Sequence, residues 1–409
     1  MRFLLISCLA AGCLSSSPTG EDVESLTQVT SFGSNPGKLN MYLYAPAGIG
    51  SNAPLVVAMH GCTQSAADYV GAGWNELADK WKFYVLYPEQ VSANSQQKCF
   101  DWFTTADITR GAGEALSIKQ MVDYATSHYE IDAKRVYVTG LSAGAAMTAV
   151  MLATYPDVFS GGAIMSGLPY ACATTQNDAY TCMNQSKDLS AKQWGDLVRS
   201  AYPSYSGPYP RVAVWQGDAD YTVRPANADE LVTQWTNVNG ITGSPSVTET
   251  VDGATHKVYV DAAGLPRVES YLIPKMGHGT AIKPGFAPAG GCGQAGAYIL
   301  DAGICSTYYA GKFFGLDTSA GGSGSGAGSD PGVPPPPDAG SATPPPAFPC
   351  QEFNATNYAH VQAGRAVRCG AYSAYVCAVG SGDQLGLWNL MPSWIKETKD
   401  GYYEAGRCN

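Results

Sequence analysis

Seven short apolar segments constrain the fold of this chain more than any other feature of its sequence. They are rich in Val, Ile and Tyr, which favour strands, and several are separated by stretches with helical spacing, such as GAGEALSIKQMVDYATSHY. The segments are LNMYLYAP, PLVVAMHG, KFYVLYP, RVYVTG, FSGGAIMSG, RVAVWQG and VESYLIP. Strands this apolar, alternating with helices, predict an α/β fold whose mostly parallel sheet is flanked by helices on both faces.

A change of composition divides the chain. The segment DTSAGGSGSGAGSDPGVPPPPDAGSATPPPAFP, residues 317–349, combines a flexible Gly/Ser half with a Pro half that favours extended polyproline II. It predicts a linker between an α/β body, residues 25–316, and a small cysteine-rich domain, residues 350–409. Residues 1–24 are assigned to a leader and an exported N-terminus.

The first residues have the pattern of an export signal. Arg2 is followed by an apolar run, residues 3–11, which is too short to span a bilayer. The sequence LAAGC that ends at Cys13 is similar to a bacterial lipobox, in which the cysteine is acylated. We therefore expect an extracellular protein, and two alternatives stay open: a plain secretory signal, or a lipid anchor at Cys13 that holds the protein on the outer membrane.

The charge of the chain excludes one class of partner. The 409 residues carry a formal net charge of −10, and no cluster of Lys or Arg offsets it. A protein that binds nucleic acid needs a basic surface to neutralise phosphates, so no nucleic-acid partner is expected.

Twelve cysteines are more than an ordinary cytosolic enzyme of this size carries, and they predict disulfides formed in an oxidising compartment. Proximity in the sequence suggests the pairs Cys172–Cys182 and Cys292–Cys305. Two further disulfides are expected in the small domain, among Cys350, Cys369, Cys377 and Cys408. Zinc is the rival interpretation of clustered cysteines, but no C-x2-C pair occurs, so neither a metal nor another cofactor is predicted.

The motif G-x-S-x-G places Ser142 between a predicted strand, RVYVTG, and a predicted helix, AAMTAVMLATYP. Gly140 and Gly144 flank the serine where a strand must turn abruptly into a helix without Cβ clashes. Such a turn exposes the serine hydroxyl at the carboxyl edge of the sheet, which predicts a nucleophile. The alternative is a tight strand-to-helix turn that carries no chemistry.

A serine nucleophile needs a base, and the chain has five histidines. One lies in the small domain, one in a helical stretch and one in a strand-like segment, and a fourth precedes the serine in the candidate oxyanion segment. These are, in that order, His360, His128, His256 and His60. His278 remains, in the Gly-rich segment IPKMGHGTA that follows a predicted strand, and it is the predicted base.

The carboxylate that orients the base should lie between the two in sequence, at the end of another strand. The segment RVAVWQGDADYTVRP offers two candidates, Asp218 and Asp220. The spacing from Gly217 to Val223 favours Asp220 as the orienting residue, with Asp218 as a solvated carboxylate of the turn.

The tetrahedral intermediate of acyl transfer needs two backbone N–H donors. The first predicted donor is the amide of Ala143, directly after the serine, and the second is the amide of Cys62, in the loop after PLVVAMHG. The Cys62 side chain could instead be a thiol nucleophile. Because exported proteins rarely keep a free thiol, we expect a Cys62–Cys99 disulfide that braces this loop.

With these residues placed, the body resembles the secreted esterases of the polyhydroxybutyrate-depolymerase family, within the α/β-hydrolases. The matching motifs lie within residues 26–316 and occur in family order: HGCTQ, LYPEQ, CFDWF, RGAGEALSIKQMV, GLSAGAAM, GDADYTV, MGHGT and DAGICSTYYAGKFFGL. The resemblance implies an α/β-hydrolase fold and a Ser142–Asp220–His278 triad that hydrolyses esters through an acyl-enzyme. Feruloyl and acetylxylan esterases are relatives with similar motifs.

The small domain resembles a module found C-terminal to secreted depolymerases and other polymer-degrading enzymes, which implies that it holds an insoluble substrate. Its aromatic residues could offer flat faces to a polymer, or they could form the core of so small a domain. They are Tyr358, Trp388, Trp394, Tyr402 and Tyr403.

Three functions are consistent with the sequence. The first is an exported serine esterase that degrades poly(3-hydroxyalkanoate), with a polymeric ester as its partner. The second is a carboxylesterase that removes feruloyl or acetyl groups from plant polysaccharide. The third is a surface binding protein on a degenerate hydrolase scaffold, and the intact set of predicted catalytic residues argues against it.

Overall fold

The computed structural model describes residues 26–285, 290–317, 351–356, 366–369, 375–378, 384–387, 392–399 and 402–405. The chain forms two compact units, Met1–Pro331 and Gly332–Asn409, and the division falls inside the predicted linker. The predicted leader with Cys13, and the linker from residue 318 onward, lie outside the described residues. The four-part organisation of the chain stays a prediction.

Within the described residues, the large unit is built on a ten-stranded sheet. Its strands are β1 (Thr27–Val29), β2 (Asn40–Tyr44), β3 (Ala53–Met59), β4 (Tyr84–Glu89), β5 (Ile131–Leu141), β6 (Gly161–Met165), β7 (Arg211–Gly217), β8 (Val247–Val251), β9 (Ala254–Val260) and β10 (Pro266–Ile273). In space they follow the order β1-β2-β4-β3-β5-β6-β7-β10-β9-β8. The six neighbouring strands from β4 to β10 in this order are parallel to one another. The pairs β1–β2 and β2–β4 at one edge, and β10–β9 and β9–β8 at the other, are antiparallel. The predicted α/β class and all seven predicted strands are confirmed.

The continuous apolar runs reflect burial of the sheet on both faces. All seven residues of β3 are buried. Leu55, Val57 and Met59 pack in the core on one face, and Val56 and Ala58 pack in the core on the other. Because successive side chains of a strand point to opposite faces, only an uninterrupted apolar segment can fill both cores.

Helices cover the two faces of the sheet. They are α1 (Ala66–Val70), α2 (Trp74–Trp81), α3 (Gly113–His128), α4 (Ala143–Thr154), α5 (Gln176–Gln185), α6 (Ala191–Ala201), α7 (Ala226–Val238) and α8 (Ser306–Phe313). Ile118 of α3, Val150 of α4 and Trp235 of α7 belong to the core of one face. Leu77 of α2 and Ala310 of α8 belong to the core of the other face. Every residue of α4 is buried, so the helix that follows Ser142 lies inside the body.

A two-stranded parallel sheet completes the large unit, from β11 (Thr280–Ile282) and β12 (Ile299–Asp301). The three disulfides predicted for the body, Cys62–Cys99, Cys172–Cys182 and Cys292–Cys305, are all present. A search of the described residues finds no helix that is both long and apolar enough to cross a membrane.

The small unit contains two three-stranded antiparallel sheets within its described residues. The first has the order β13 (Gln351–Thr356), β17 (Pro392–Lys399) and β18 (Tyr402–Ala405), and the second has β14 (Ala366–Cys369), β15 (Tyr375–Ala378) and β16 (Gln384–Leu387). Of the aromatic residues predicted to bind polymer, Trp394 lies in β17 and Tyr402 in β18, whereas Tyr358 and Trp388 lie outside the described residues. Their role stays a prediction, as do the disulfides of this domain.

Candidate active site

Ser142 occupies the turn between β5 and α4 in a backbone conformation that a non-glycine residue rarely adopts. Its φ is 56° and its ψ is −115°. Holding a residue in such a region costs about 1–3 kcal/mol and persists only where the surrounding structure enforces it. Here the Ser142 N–H donates to the Met165 carbonyl at 3.0 Å, and its carbonyl accepts from the Ala146 N–H at 2.8 Å. The neighbouring strand and the helix together therefore fix the turn.

The two glycines of the motif are needed because backbone segments meet at this turn. A Cβ atom on Gly140 would lie 2.5 Å from the Gly144 carbonyl, and one on Gly144 would lie 2.5 Å from the carbonyl oxygens of Met59 and His60. The first turn of α4 thus lies directly against the end of β3. The structural context predicted for G-x-S-x-G is present.

Asp220 and His278 are in hydrogen-bond contact. Asp220 Oδ2 lies 2.8 Å from His278 Nδ1, and the His278 side chain is 9% exposed. The second carboxylate oxygen of Asp220 accepts the N–H groups of Thr222 and Val223, each at 2.9 Å. Burial acts to raise the pKa of Asp220. The hydrogen bond to His278, the positive charge of that imidazole when it is protonated, and the two backbone donors together hold the pKa of Asp220 below its usual value. The carboxylate is therefore ionised and can orient an imidazole through Nδ1.

Asp218, the other candidate acid, stands elsewhere. Its side chain is exposed, and its Oδ1 accepts the Lys275 N–H at 2.6 Å. It braces the turn that leads to His278 and does not contact the imidazole. The geometry agrees with the choice of Asp220 made from the spacing of the motif.

The loops that carry the acid and the base are fastened to each other. Gly217 at the end of β7 approaches the His278 loop so closely that a Cβ there would lie 2.2 Å from the Met276 carbonyl oxygen. The Ala219 N–H donates to that same carbonyl at 3.0 Å. Ser166, whose φ is 50°, adds a hydroxyl bond to the Gly279 carbonyl at 3.3 Å. We did not single out Ser166 from the sequence; its only signal is its place at the end of a predicted strand.

One predicted oxyanion donor, the Ala143 amide, belongs to the Ser142 turn, and the other, the Cys62 amide, belongs to the loop after β3. The register of the sheet pairs Met59 with Gly140, so the loop after β3 runs beside the turn after β5. Ala143 is the first residue of α4, where a backbone N–H has no acceptor within the helix. Among the described residues, none accepts a hydrogen bond from the Cys62 N–H. Both amides are available to an oxyanion.

The loop that carries the Cys62 amide is held at several points. The Gly61 N–H donates to Gln64 Oε1 at 2.8 Å, and the Thr63 N–H donates to the Gln97 carbonyl at 2.6 Å. The disulfide to Cys99 ties the loop to the segment after β4. In the described part of the chain, no three His, Cys, Asp or Glu side chains converge in a way that could hold a metal ion.

This set of groups suits acyl transfer. It combines a serine hydroxyl on a fixed turn, an imidazole oriented by an ionised carboxylate, and two backbone N–H groups, one in the serine turn and one in the loop that runs beside it. The catalytic role of each residue stays a prediction.

Comparison with known proteins gives consistent matches. The family described as Esterase PHB depolymerase matches residues 39–255. Poly(3-hydroxyalkanoate) depolymerase C of Paucimonas lemoignei is 56% identical over 298 residues, covering 73% of this chain and 72% of the relative. Feruloyl esterase B of Talaromyces stipitatus is 39% identical over 263 residues, covering 62% and 72%. Among solved structures, an acetyl xylan esterase from Aspergillus awamori has 32% identity and a TM-score of 0.57, covering 62% of this chain and 94% of that one.

Proposed function

Because the chain belongs to the Esterase PHB depolymerase family and is a carboxylic ester hydrolase, we propose that it is an exported serine esterase that hydrolyses poly(3-hydroxybutyrate) and related polyhydroxyalkanoates. The observation that carries this substrate is the 56% identity to a poly(3-hydroxyalkanoate) depolymerase across most of the body, against 39% to a feruloyl esterase. Family membership as an ester hydrolase argues against a binding protein on a degenerate scaffold.

In the proposed mechanism, the Ser142 hydroxyl attacks the ester carbonyl carbon while His278 removes its proton through Nε2. Asp220, at 2.8 Å from Nδ1, holds the ring in the tautomer that leaves Nε2 free to accept and stabilises the imidazolium that forms. The C–O bond of the ester then breaks, and His278 gives its proton to the leaving alcohol. Water, activated by the same imidazole, hydrolyses the acyl-enzyme and regenerates the serine.

The negative charge of each tetrahedral intermediate is stabilised by the amides of Cys62 and Ala143. Removing one such donor typically costs about 10²–10³ in kcat, so both amides matter to the rate. Their positions next to the Ser142 turn support the assignment.

The second candidate substrate is a feruloyl or acetyl ester of plant polysaccharide. The similarity to a feruloyl esterase and to an acetyl xylan esterase supports it. One preparation of the protein, tested for clearing of a polyhydroxybutyrate film and for release of ferulate and acetate from xylan, separates the two. We expect film clearing to dominate; release from xylan without clearing would reverse the choice.

The control for either substrate is Ser142→Ala. If Ser142 is the nucleophile, this variant remains folded and loses roughly 10⁶ in kcat, the scale measured for such triads. A folded variant that retains a tenth of the activity would contradict the mechanism.

We also propose that the chain is exported and that its small domain holds polymer. Three disulfides in the large unit suit an oxidising compartment and support export. Lipidation at Cys13 is tested by radiolabelled palmitate and mass spectrometry of the mature N-terminus. An unmodified N-terminus created by cleavage elsewhere would favour the plain secretory signal.

A further inference from the structure

His60 is a buried histidine that the proposed mechanism does not use. It directly follows β3, is fully buried, and packs on Phe100 with ring centroids 5.1 Å apart. Both of its ring nitrogens have backbone partners: Nδ1 lies 2.7 Å from the Gly61 carbonyl oxygen, and Nε2 lies 3.1 Å from the Gln90 nitrogen.

These two partners determine the protonation state of the ring. The Gln90 backbone N–H can only donate, so Nε2 must be the nitrogen with the lone pair. The Gly61 carbonyl can only accept, so Nδ1 must carry the proton. A cationic ring would direct an N–H at the Gln90 N–H. His60 is therefore neutral and in the Nδ1–H tautomer.

The surroundings of the ring agree with a neutral state. Burial lowers the pKa of His60, while the bond to the Gly61 carbonyl opposes that shift. Three charged groups also act on the ring: Glu89 and Asp68 favour the cation, and Lys98 disfavours it.

The Gly61 carbonyl is the other end of the peptide unit that carries the Cys62 N–H. A trans peptide is planar, so fixing the direction of its C=O fixes the opposite direction of its N–H. That carbonyl accepts two hydrogen bonds, from His60 at 2.7 Å and, across a turn, from the Gln64 N–H at 3.3 Å. The bond from His60 is the shorter of the two.

We infer that His60 is a positioning residue for ester hydrolysis: its Nδ1–H holds the Gly61 carbonyl and thereby directs the Cys62 amide at the oxyanion. This inference rests on the proposed function, in which that amide is an oxyanion donor. The alternative is that His60 only fills the core against Phe100 and supports the end of β4.

The acceptor side of His60 is itself firmly held. The Gln90 side chain accepts from the Val91 N–H at 3.0 Å and from Asn94 Nδ2 at 2.9 Å, and it donates to the Cys99 carbonyl at 3.2 Å and to Glu114. Cys99 is the disulfide partner of Cys62. Gln90 therefore holds the His60 ring through its backbone N–H and holds Cys99, the disulfide partner of Cys62, through its side chain. Both the ring and the loop that it orients are fixed to the same residue.

Two substitutions separate the roles of the ring nitrogens. In His60→Asn the amide nitrogen takes the place of Nδ1 and can still donate to the Gly61 carbonyl. In His60→Gln the amide oxygen takes the place of Nε2 and can still accept from Gln90, but the donor to Gly61 is lost. Each variant thus retains one of the two bonds.

With a soluble p-nitrophenyl ester, we expect His60→Gln to lower kcat by about 10–100-fold and to leave KM within about twofold of wild type. The loss is smaller than the roughly 10²–10³ expected for complete removal of an oxyanion donor, because the Cys62 amide is misdirected but still present. KM should change little because the donor acts on the transition state rather than on bound substrate. His60→Asn should keep kcat within about threefold of wild type, because its bond to the Gly61 carbonyl is preserved. Equal losses of kcat in the two variants, losses in KM, or losses that follow the melting temperatures would overturn the inference.

A measurement on the wild-type protein does not depend on either variant folding. Long-range ¹H–¹⁵N spectra of histidine-labelled protein should show His60 neutral and protonated on Nδ1 across the pH range of activity. Its signals are assigned by substituting each of the other four histidines in turn and taking the set that remains. An Nε2–H tautomer, or a ring that becomes cationic in that range, would refute the inference.

The two levels of the argument fail differently. An active Ser142→Ala would remove the proposed function and the role of the oxyanion donor with it. An inactive Ser142→Ala together with a fully active His60→Gln would remove only the role of His60.

Discussion

Gly144→Ala tests whether close backbone contact at the nucleophile turn is required. The added Cβ would lie 2.5 Å from two carbonyl oxygens, those of Met59 and His60. Both belong to the backbone at the end of β3, so neither can move without moving the loop that carries the Cys62 amide. Forcing a methyl group into such a site costs about 1–3 kcal/mol, and the better helix propensity of Ala offsets about 1 kcal/mol of it.

Because both contacts are with backbone atoms, the cost lies at the upper end of this range, about 3 kcal/mol. We therefore expect Gly144→Ala to lower the free energy of unfolding by about 2 kcal/mol, which is about 4–8 °C in Tm for a body of this size. The same shift separates the turn from the oxyanion loop, so kcat should fall by about tenfold or more, since one oxyanion donor is worth about 10²–10³. Differential scanning calorimetry and hydrolysis of a soluble ester measure the two effects. Gly50→Ala, where a Cβ meets nothing within 4 Å, is the matched control and should change neither. A Gly144→Ala variant as stable and as active as wild type would refute the reasoning.

Three further predictions concern the acid, the small domain and the ion pairs that join β9 to β8 and β10. Asp220→Asn should lower kcat by about 10⁴, because the amide favours the wrong tautomer of the His278 imidazole. Asp218→Asn keeps its bond to the Lys275 N–H and should change kcat little. Steady-state kinetics that show the larger loss in Asp218→Asn would reverse the assignment. Truncation after residue 316 should leave hydrolysis of a soluble ester unchanged and slow attack on polymer particles, most at low enzyme concentration; equal loss on both substrates would mean that the small domain supports the fold of the body. Burial lowers the pKa of His256, but two carboxylates, Glu249 at 3.0 Å from Nδ1 and Glu269 at 3.4 Å from Nε2, raise it by more, so the net shift is upward. The stabilising contribution of His256 is then fully present at acidic pH and is lost as pH rises through the raised pKa. In urea melts, the loss of unfolding free energy caused by His256→Gln should therefore be larger at pH 5 than at pH 9. An equal loss at both pH values would contradict the linkage.

The sequence predicted the central strands well because burial on both faces leaves a strong pattern. β3 needs apolar side chains at every position, and its segment has them. β8, with the sequence VTETV and mostly exposed residues, has no such pattern, and we did not predict it. β11 and β12 are three residues each, too short for any periodicity to be visible.

The site was predictable where its chemistry is carried by side chains in a motif. Ser142, Asp220 and His278 are assigned in this way; the structure shows the contact between the last two, and the catalytic roles of all three stay predictions. His60 shows the limit. Its role depends on two backbone atoms, one of them in Gln90, 30 residues away, and no residue type marks such a partner in the sequence.

The two edges of the ten-stranded sheet determine how the protein behaves where many copies crowd together. An edge strand presents unpaired N–H and C=O groups that can pair with another chain and start aggregation. At one edge, β1 is only three residues long. At the other, β8 carries Glu249, whose side chain is 53% exposed and would face a second Glu249 if two β8 strands paired with their centres aligned. Neither edge of this sheet offers a long, uncharged strand for such pairing, which suits an enzyme proposed to gather at high density on a polymer surface.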